Sequence, residues 1–85
     1  LCSIFKFTLA TASTDRDGSN YCQVYADGKL IYTSPELNYK TKAFDVTLDI
    51  TGAETIAIYA VDQNFNISSG RYPQLIIANA VIYKE

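Results

Sequence analysis

The chain has no histidine, no tryptophan and no methionine, and only two cysteines, two prolines and four glycines among 85 residues. Without histidine the commonest general base is missing, and with it the Ser–His and Cys–His nucleophile pairs. Cys2 and Cys22 alone fall short of the four nitrogen and sulfur ligands of a structural zinc site, and they are too few for a disulfide framework. The formal net charge is −2, with both signs scattered along the chain, so the basic patch of a nucleic-acid binder is absent. No apolar run approaches the roughly 20 residues of a membrane-crossing helix. No charged-then-apolar leader is visible, and Leu1-Cys-Ser-Ile-Phe5 reads as the interior of something longer. The expectation is therefore a single module spanning residues 1–85, excised from a larger protein.

What is present is apolar residue at 48%, enough for a globular chain and too much for a disordered one. A chain of this length buries little more than about 60% of the surface its unfolded form exposes. Its core is accordingly small.

Period-two alternation runs through most of the sequence and implies strands. Ser3 to Ala10 sets Phe5, Phe7 and Leu9 against Lys6 and Thr8. Tyr21 to Ala26 and Lys29 to Ser34 flank Asp27-Gly28, a dipeptide suited to a type I′ turn because both central residues need positive φ. A two-residue turn there pairs Tyr25 with Leu30 and Val24 with Ile31. It puts Cys22, Val24 and Ile31 on one face and Gln23, Tyr25 and Tyr32 on the other. Ala43 to Ile50 alternates cleanly, with Phe44, Val46, Leu48 and Ile50 inward. Thr51-Gly52-Ala53-Glu54 then turns the chain into a return strand, Thr55 to Asp62, which reads as a second hairpin. Leu75 to Tyr83 closes the chain. Regular alternation puts Leu75, Ile77, Val81 and Tyr83 on one of its faces and Ile76, Ala78, Ala80 and Ile82 on the other.

Six strands without helical periodicity predict an all-β antiparallel sandwich of jelly-roll type. A closing strand apolar on both faces must be covered on both. Either it is well buried, or a partner subunit or neighbouring sequence completes it, which leaves self-association through 75–83 open. The polar stretches 11–20, 35–42 and 63–73 read as loops. If the strands around Phe7 and Val24 pair across the first loop, Cys22 lies nearer Leu9 than Cys2. The two thiols are then better read as free, small core residues.

The remaining chemistry is in carboxylates and tyrosines. Asp45 and Asp49 share one strand face at a separation of about 13 Å, beyond the roughly 5–9.5 Å of a glycosidase pair. No catalytic residue is assigned. Asp15 and Asp17 flank Arg16 in an oxygen-rich loop and are candidate calcium ligands, against the plainer reading of an Asn/Asp-rich turn. Asp62-Gln-Asn-Phe-Asn66 opens like a calcium loop, but Ile67 stands where an EF-hand needs glycine. The seven tyrosines each offer an apolar ring with a polar tip, suited to the C–H faces and hydroxyls of sugars, although tyrosines also line sheet surfaces without binding anything. Tyr39 and Tyr72 lie in polar loops. The polar and aromatic mix of Asn64, Asn66, Arg71 and Tyr72 makes these four the candidate ligand contacts.

The order of segments also resembles a family. Phe5-Lys-Phe-Thr-Leu-Ala-Thr-Ala12, Cys22-Gln-Val-Tyr-Ala-Asp-Gly-Lys29, Ile31-Tyr-Thr-Ser34, Phe44-Asp-Val-Thr-Leu-Asp-Ile-Thr-Gly-Ala53, Ile56-Ala-Ile-Tyr-Ala-Val-Asp62 and Ala78-Asn-Ala80 together resemble the later part of the NPCBM family of carbohydrate-binding modules. The resemblance implies a β-sandwich and a non-catalytic sugar-binding role. It further implies attachment to a secreted bacterial glycosidase or surface protein, galactose-type glycans as ligands, a structural calcium and an extracellular or cell-surface location. Ile76-Ile77 stands where the family usually has Asp-Trp. That replacement favours an alternative in which the sandwich is kept, sugar binding is lost, and the module serves protein–protein or homo-oligomer contacts.

Overall fold

The computed structural model describes residues 2–11, 20–38, 40–62 and 75–85. All six expected strands are there: β1 (Ser3–Thr11), β2 (Asn20–Ala26), β3 (Lys29–Thr33), β4 (Phe44–Asp49), β5 (Ile56–Asp62) and β6 (Leu75–Lys84). They form two antiparallel three-stranded sheets, ordered β4-β1-β6 and β3-β2-β5. The all-β sandwich is as the alternation implies.

The core lies between the central strands. Phe5, Phe7 and Leu9 from β1 meet Cys22 and Val24 from β2, with Val46 of β4 and Ile50 beside them. The Phe5 and Phe7 rings stand 4.9 Å apart, tilted by 36°. Register explains the selection. Phe5, Phe7 and Leu9 face Leu48, Val46 and Phe44 across the β1–β4 ladder, and residues directly opposite on antiparallel strands share a face. On the outer side of that ladder the Thr8 hydroxyl donates to Asp45 at 2.8 Å.

One expected pairing is overturned, and another, raised only as a condition for placing the cysteines, does not form. β1 and β2 do not pair; they belong to different sheets. Nor do β4 and β5 form a hairpin. β4 pairs with β1 and β5 with β2, so residues 50–55 carry the chain from one sheet to the other. Hydrogen bonds at the two ends of this connection decide it. Ile50 N–H donates to the Ser3 carbonyl at 2.9 Å, and Ser3 N–H to the Thr51 hydroxyl at 3.0 Å, which holds the near end on β1. The far end is held by Asp27 at the tip of the β2–β3 hairpin. Its carboxylate accepts from Glu54 N–H at 3.0 Å and from Thr55 N–H at 2.9 Å and hydroxyl at 3.1 Å. Asp27 N–H donates back to the Thr55 carbonyl at 3.0 Å.

The Asp27-Gly28 turn forms as expected, with φ of 50° and 81°, and Tyr25 pairs with Leu30. One step further the register shifts, and Val24 faces Tyr32 instead of Ile31. The extra residue is a β-bulge, and it turns both Ile31 and Tyr32 onto the core. Tyr32 is therefore not on the outer face with Gln23 and Tyr25. Burial, with a smaller contribution from Cys22, raises its phenol above the ordinary value.

The segment 35–42, read as a polar loop, hides a core residue. Leu37 is 0% exposed, held by reciprocal bonds with Asn20: Asn20 N–H to the Leu37 carbonyl at 2.8 Å and Leu37 N–H to the Asn20 carbonyl at 2.6 Å. Ser34 extends the ladder, donating its N–H to the Cys22 carbonyl and accepting Cys22 N–H on its hydroxyl, both at 2.8 Å. Cys22 is buried and Cys2 exposed, both as free thiols.

The closing strand departs most from its regular reading. Lys6 faces Val81, but Thr8 faces Ala78, so Asn79 and Ala80 together oppose Phe7. Asn79 sits at φ 54°, a left-handed conformation asparagine tolerates better than other side chains. The bulge exchanges the faces beyond it. Leu75, Ile77 and Ile82 share the inner side with Thr11, Leu9 and Phe5; Ile76, Ala78, Val81 and Tyr83 share the outer side with Ala10, Thr8, Lys6 and Ile4. The strand is also not covered on both faces: Val81 is 50% and Ile82 62% exposed.

Candidate functional site

The outer face of the β3-β2-β5 sheet carries the most suitable binding surface among the described residues. Alternation on β2 sends Tyr21, Gln23 and Tyr25 outward, and the β2–β5 register puts Val61, Tyr59 and Ala57 opposite them in that order. Ala57 leaves room beside Tyr25, and the diagonal neighbour Tyr59 fills part of it. The two rings meet edge to face, 5.3 Å apart at 88°, the arrangement favoured by aromatic quadrupoles. Tyr59 remains 55% exposed.

Around this pair lies an open groove of about 440 Å³, lined by Gln23, Tyr25, Gly28, Thr55, Ala57, Tyr59, Ala60 and Val61. No lining residue is charged. The polar groups are the Gln23 amide, two phenols and the Thr55 hydroxyl; the rest is apolar ring or methyl. Such a surface can stack an apolar face and offer donors and acceptors at its margin. It has no nucleophile–base pair.

Asp27 sets the lower end of the groove by fixing Thr55. Three hydrogen bonds to the charged carboxylate, those from the Thr55 and Glu54 backbone foremost, hold the Asp27 pKa below its ordinary value. Asp49 is likewise depressed by the Thr51 hydroxyl and backbone N–H, at 2.6 and 2.9 Å. Both carboxylates border a second depression, of about 410 Å³, between the hairpin tip and residues 49–53. Each is engaged with its own neighbouring chain. Among the described residues no group of three or more Asp, Glu or Cys is placed to hold a metal ion.

Asn64, Asn66, Arg71 and Tyr72, the four residues expected to contact ligand, lie outside the described residues, as do Tyr39 and the calcium candidates Asp15 and Asp17. The strand ends that bound these segments are described. Thr11 faces Leu75, and Asn20 faces Asp62, so 12–19 and 63–74 leave from paired strand ends. The Gln23–Tyr25–Tyr59 surface was not foreseen. Its signal was present in the alternation of β2 and β5, but the two strands had to be paired before the rings met.

The family model for the NPCBM/NEW2 domain matches residues 2–72. The chain belongs to the NPCBM/NEW2 family. The match takes in β1 to β5 and stops short of β6. No curated protein matches the chain, and no solved structure does. NPCBM/NEW2 is a family of carbohydrate-binding modules, a type that is ordinarily non-catalytic and extracellular. No helix among the described residues is long and apolar enough to cross a membrane.

Proposed function

We propose that the chain is a non-catalytic carbohydrate-binding accessory module, working outside the cell or on its surface as part of a secreted bacterial glycosidase or surface protein. The observation that carries this reading is the NPCBM/NEW2 match over residues 2–72. The uncharged groove of Tyr25, Tyr59 and Gln23 supports it, because a neutral sugar ring needs a stacking surface and nearby amide and hydroxyl groups, and needs no ion pair. Galactose-containing glycans are the proposed ligands. Asn64, Asn66, Arg71 and Tyr72 are a second proposed contact set, and Asp15 and Asp17 proposed ligands of a structural calcium.

A glycan array probed with the wild-type chain, Tyr59→Ala and Tyr72→Ala tests the reading. Loss of binding in Tyr59→Ala supports the groove, and loss in Tyr72→Ala supports the 63–73 segment. An array on which the wild-type chain binds no sugar sinks the proposal. Repeating it after chelation tests the calcium.

A second reading, an assembly module without sugar binding, is favoured by one observation. The large apolar side chains Ile76, Val81, Ile82 and Tyr83 of the last strand are exposed together.

A further inference from the structure

β6 is an edge strand of ten residues. Among the described residues no strand pairs with its outer edge, and the backbone donors and acceptors along such an edge are a template for another strand. Proteins usually blunt such edges with charge. The edge strand β4 carries Asp45 and Asp49, β3 carries Lys29, and β5 is uncharged from Ile56 to Val61 and ends on Asp62; β6 has the longest uncharged run of the four, from Leu75 to Tyr83.

We infer that β6 pairs antiparallel with β6 of a second copy about a two-fold axis at the Asn79–Ala80 bulge, joining two sheets into one continuous six-stranded sheet.

The bulge selects this occupant and this register. In the proposed pairing Leu75 faces Lys84 of the second copy, Ile76 faces Tyr83, Ile77 faces Ile82, and Ala78 faces Val81. Residues opposite one another on antiparallel strands must share a sheet face. In a regular strand these pairs would be on opposite faces, since each combines an odd with an even position. The bulge reverses the faces beyond residue 80, so Ile76 and Tyr83 are both outer, Ile77 and Ile82 both inner, and Ala78 and Val81 both outer. The pattern of faces thus reads the same in both directions from the bulge. A foreign regular strand would have to absorb the extra residue as β1 does; a second copy matches it with its own.

Charge agrees. The strand's only charge, Lys84, lies at its end, and the two-fold puts the two copies of it about 30 Å apart along the strand. Parallel pairing in register would set them side by side. The interface is one strand edge with its flanking apolar side chains, at the low end of interface sizes, below about 1,200 Å². Association is therefore weak and reversible. It rests on the second reading above in its use of β6, but does not require that sugar binding be lost. The grooves on the β3-β2-β5 sheets stay open in both copies, and a dimer gains avidity on a polyvalent glycan.

Sedimentation equilibrium of the full chain from ~10 μM to ~1 mM covers the range of weak interfaces. The expected result is a mass rising from the 9.4 kDa chain toward twice that value. Val81→Lys places a charge on the exposed outer edge and is expected to weaken the dimer at least tenfold. Its affinity for a free sugar should be unchanged, so failure of dimerisation is distinguishable from failure of glycan recognition. Register is read by disulfide trapping in a Cys2→Ser background. A mixture of Ile76→Cys and Tyr83→Cys chains should cross-link, since directly opposite residues meet disulfide geometry, while either variant alone should not. A mass fixed at that of one chain up to ~1 mM, or a Val81→Lys dimer as strong as wild type, overturns the inference. So does cross-linking of either single variant as complete as that of the mixture. The cross-linking test stands even where Val81→Lys fails to fold.

Discussion

The Asp27 carboxylate accepts both the backbone N–H and the hydroxyl of Thr55, at 2.9 and 3.1 Å, across 28 residues of sequence. This contact joins the tip of one hairpin to the start of β5. It assigns β5 to the β2 sheet and places Thr55 in the groove. The same aspartate supplies the positive φ of the turn, so one residue serves both the local bend and the crossing between sheets.

Its depressed pKa has a consequence for acid stability. A carboxylate with a folded-state pKa below its unfolded value stabilises the fold above the unfolded value and loses that contribution as pH falls through the folded one. Asp27 and Asp49 both start from 3.8 and are both lowered. The contribution of these two carboxylates should be flat above about pH 5 and fall as pH drops below about 4. Asp27→Asn keeps a turn-compatible residue but not the charge. Thermal melts should show it less stable than wild type at neutral pH and nearly equal to it at pH values below the depressed pKa. A neutral-pH difference that persists undiminished in acid would count against the charge as the cause.

Leu37 should be as important as any strand residue. It is fully buried between the sheets while its neighbours Glu36 and Asn38 are exposed. Leu37→Ala is expected to cost about 2–5 kcal/mol in urea unfolding, a large share of the stability of a domain this size. Asn38→Ala, by comparison, removes only the exposed turn bonds to Lys40 and Thr41 and should cost much less.

These two residues also show what alternation can and cannot reveal. Period two identified six strands, and Asp27-Gly28 identified one turn, because both signals are local. Sheet membership is not local. The short 50–55 connection looks like a hairpin until Asp27 and Ser3 draw its ends to different sheets. A lone leucine among polar residues carries no period, so Leu37 was invisible. Both bulges escaped for the same reason: an extra residue changes every face beyond it without altering composition. The groove suffered twice over. Alternation puts Gln23 and Tyr25 on one face of β2, yet Tyr25 and Tyr59 come together only through the β2–β5 pairing.

The two cysteines should separate cleanly by reactivity. Cys2 is exposed, and Cys22 is buried with its thiol pKa raised by desolvation. Since the thiolate is the reactive form, a disulfide reagent should titrate one thiol rapidly in the folded chain and the second only on unfolding. Two fast thiols would mean that the β2 core is open in solution.

Asn79 offers the sharpest test of the closing strand. Its φ of 54° is tolerated by asparagine and by glycine and resisted by β-branched residues. Asn79→Gly should therefore leave stability within about 0.5 kcal/mol of wild type, the usual range for an uncomplicated surface change. Asn79→Val should cost about 1–2 kcal/mol if the bulge is kept. A valine chain that instead removes the bulge must slip by one residue against β1, and a one-residue slip sends each side chain beyond it to the other face. Val81 and Tyr83 would then turn inward and Ile82 outward. Hydrogen exchange of the β1–β6 ladder distinguishes the two results. A kept bulge leaves the protection of Lys6 and Phe5 opposite Val81 and Ile82 at the wild-type level, scaled for stability. A slipped strand redistributes protection along residues 81–84 and leaves 75–78 unchanged. Equal stability of the glycine and valine variants, with protection unchanged in both, would show that Asn79 is not left-handed in solution.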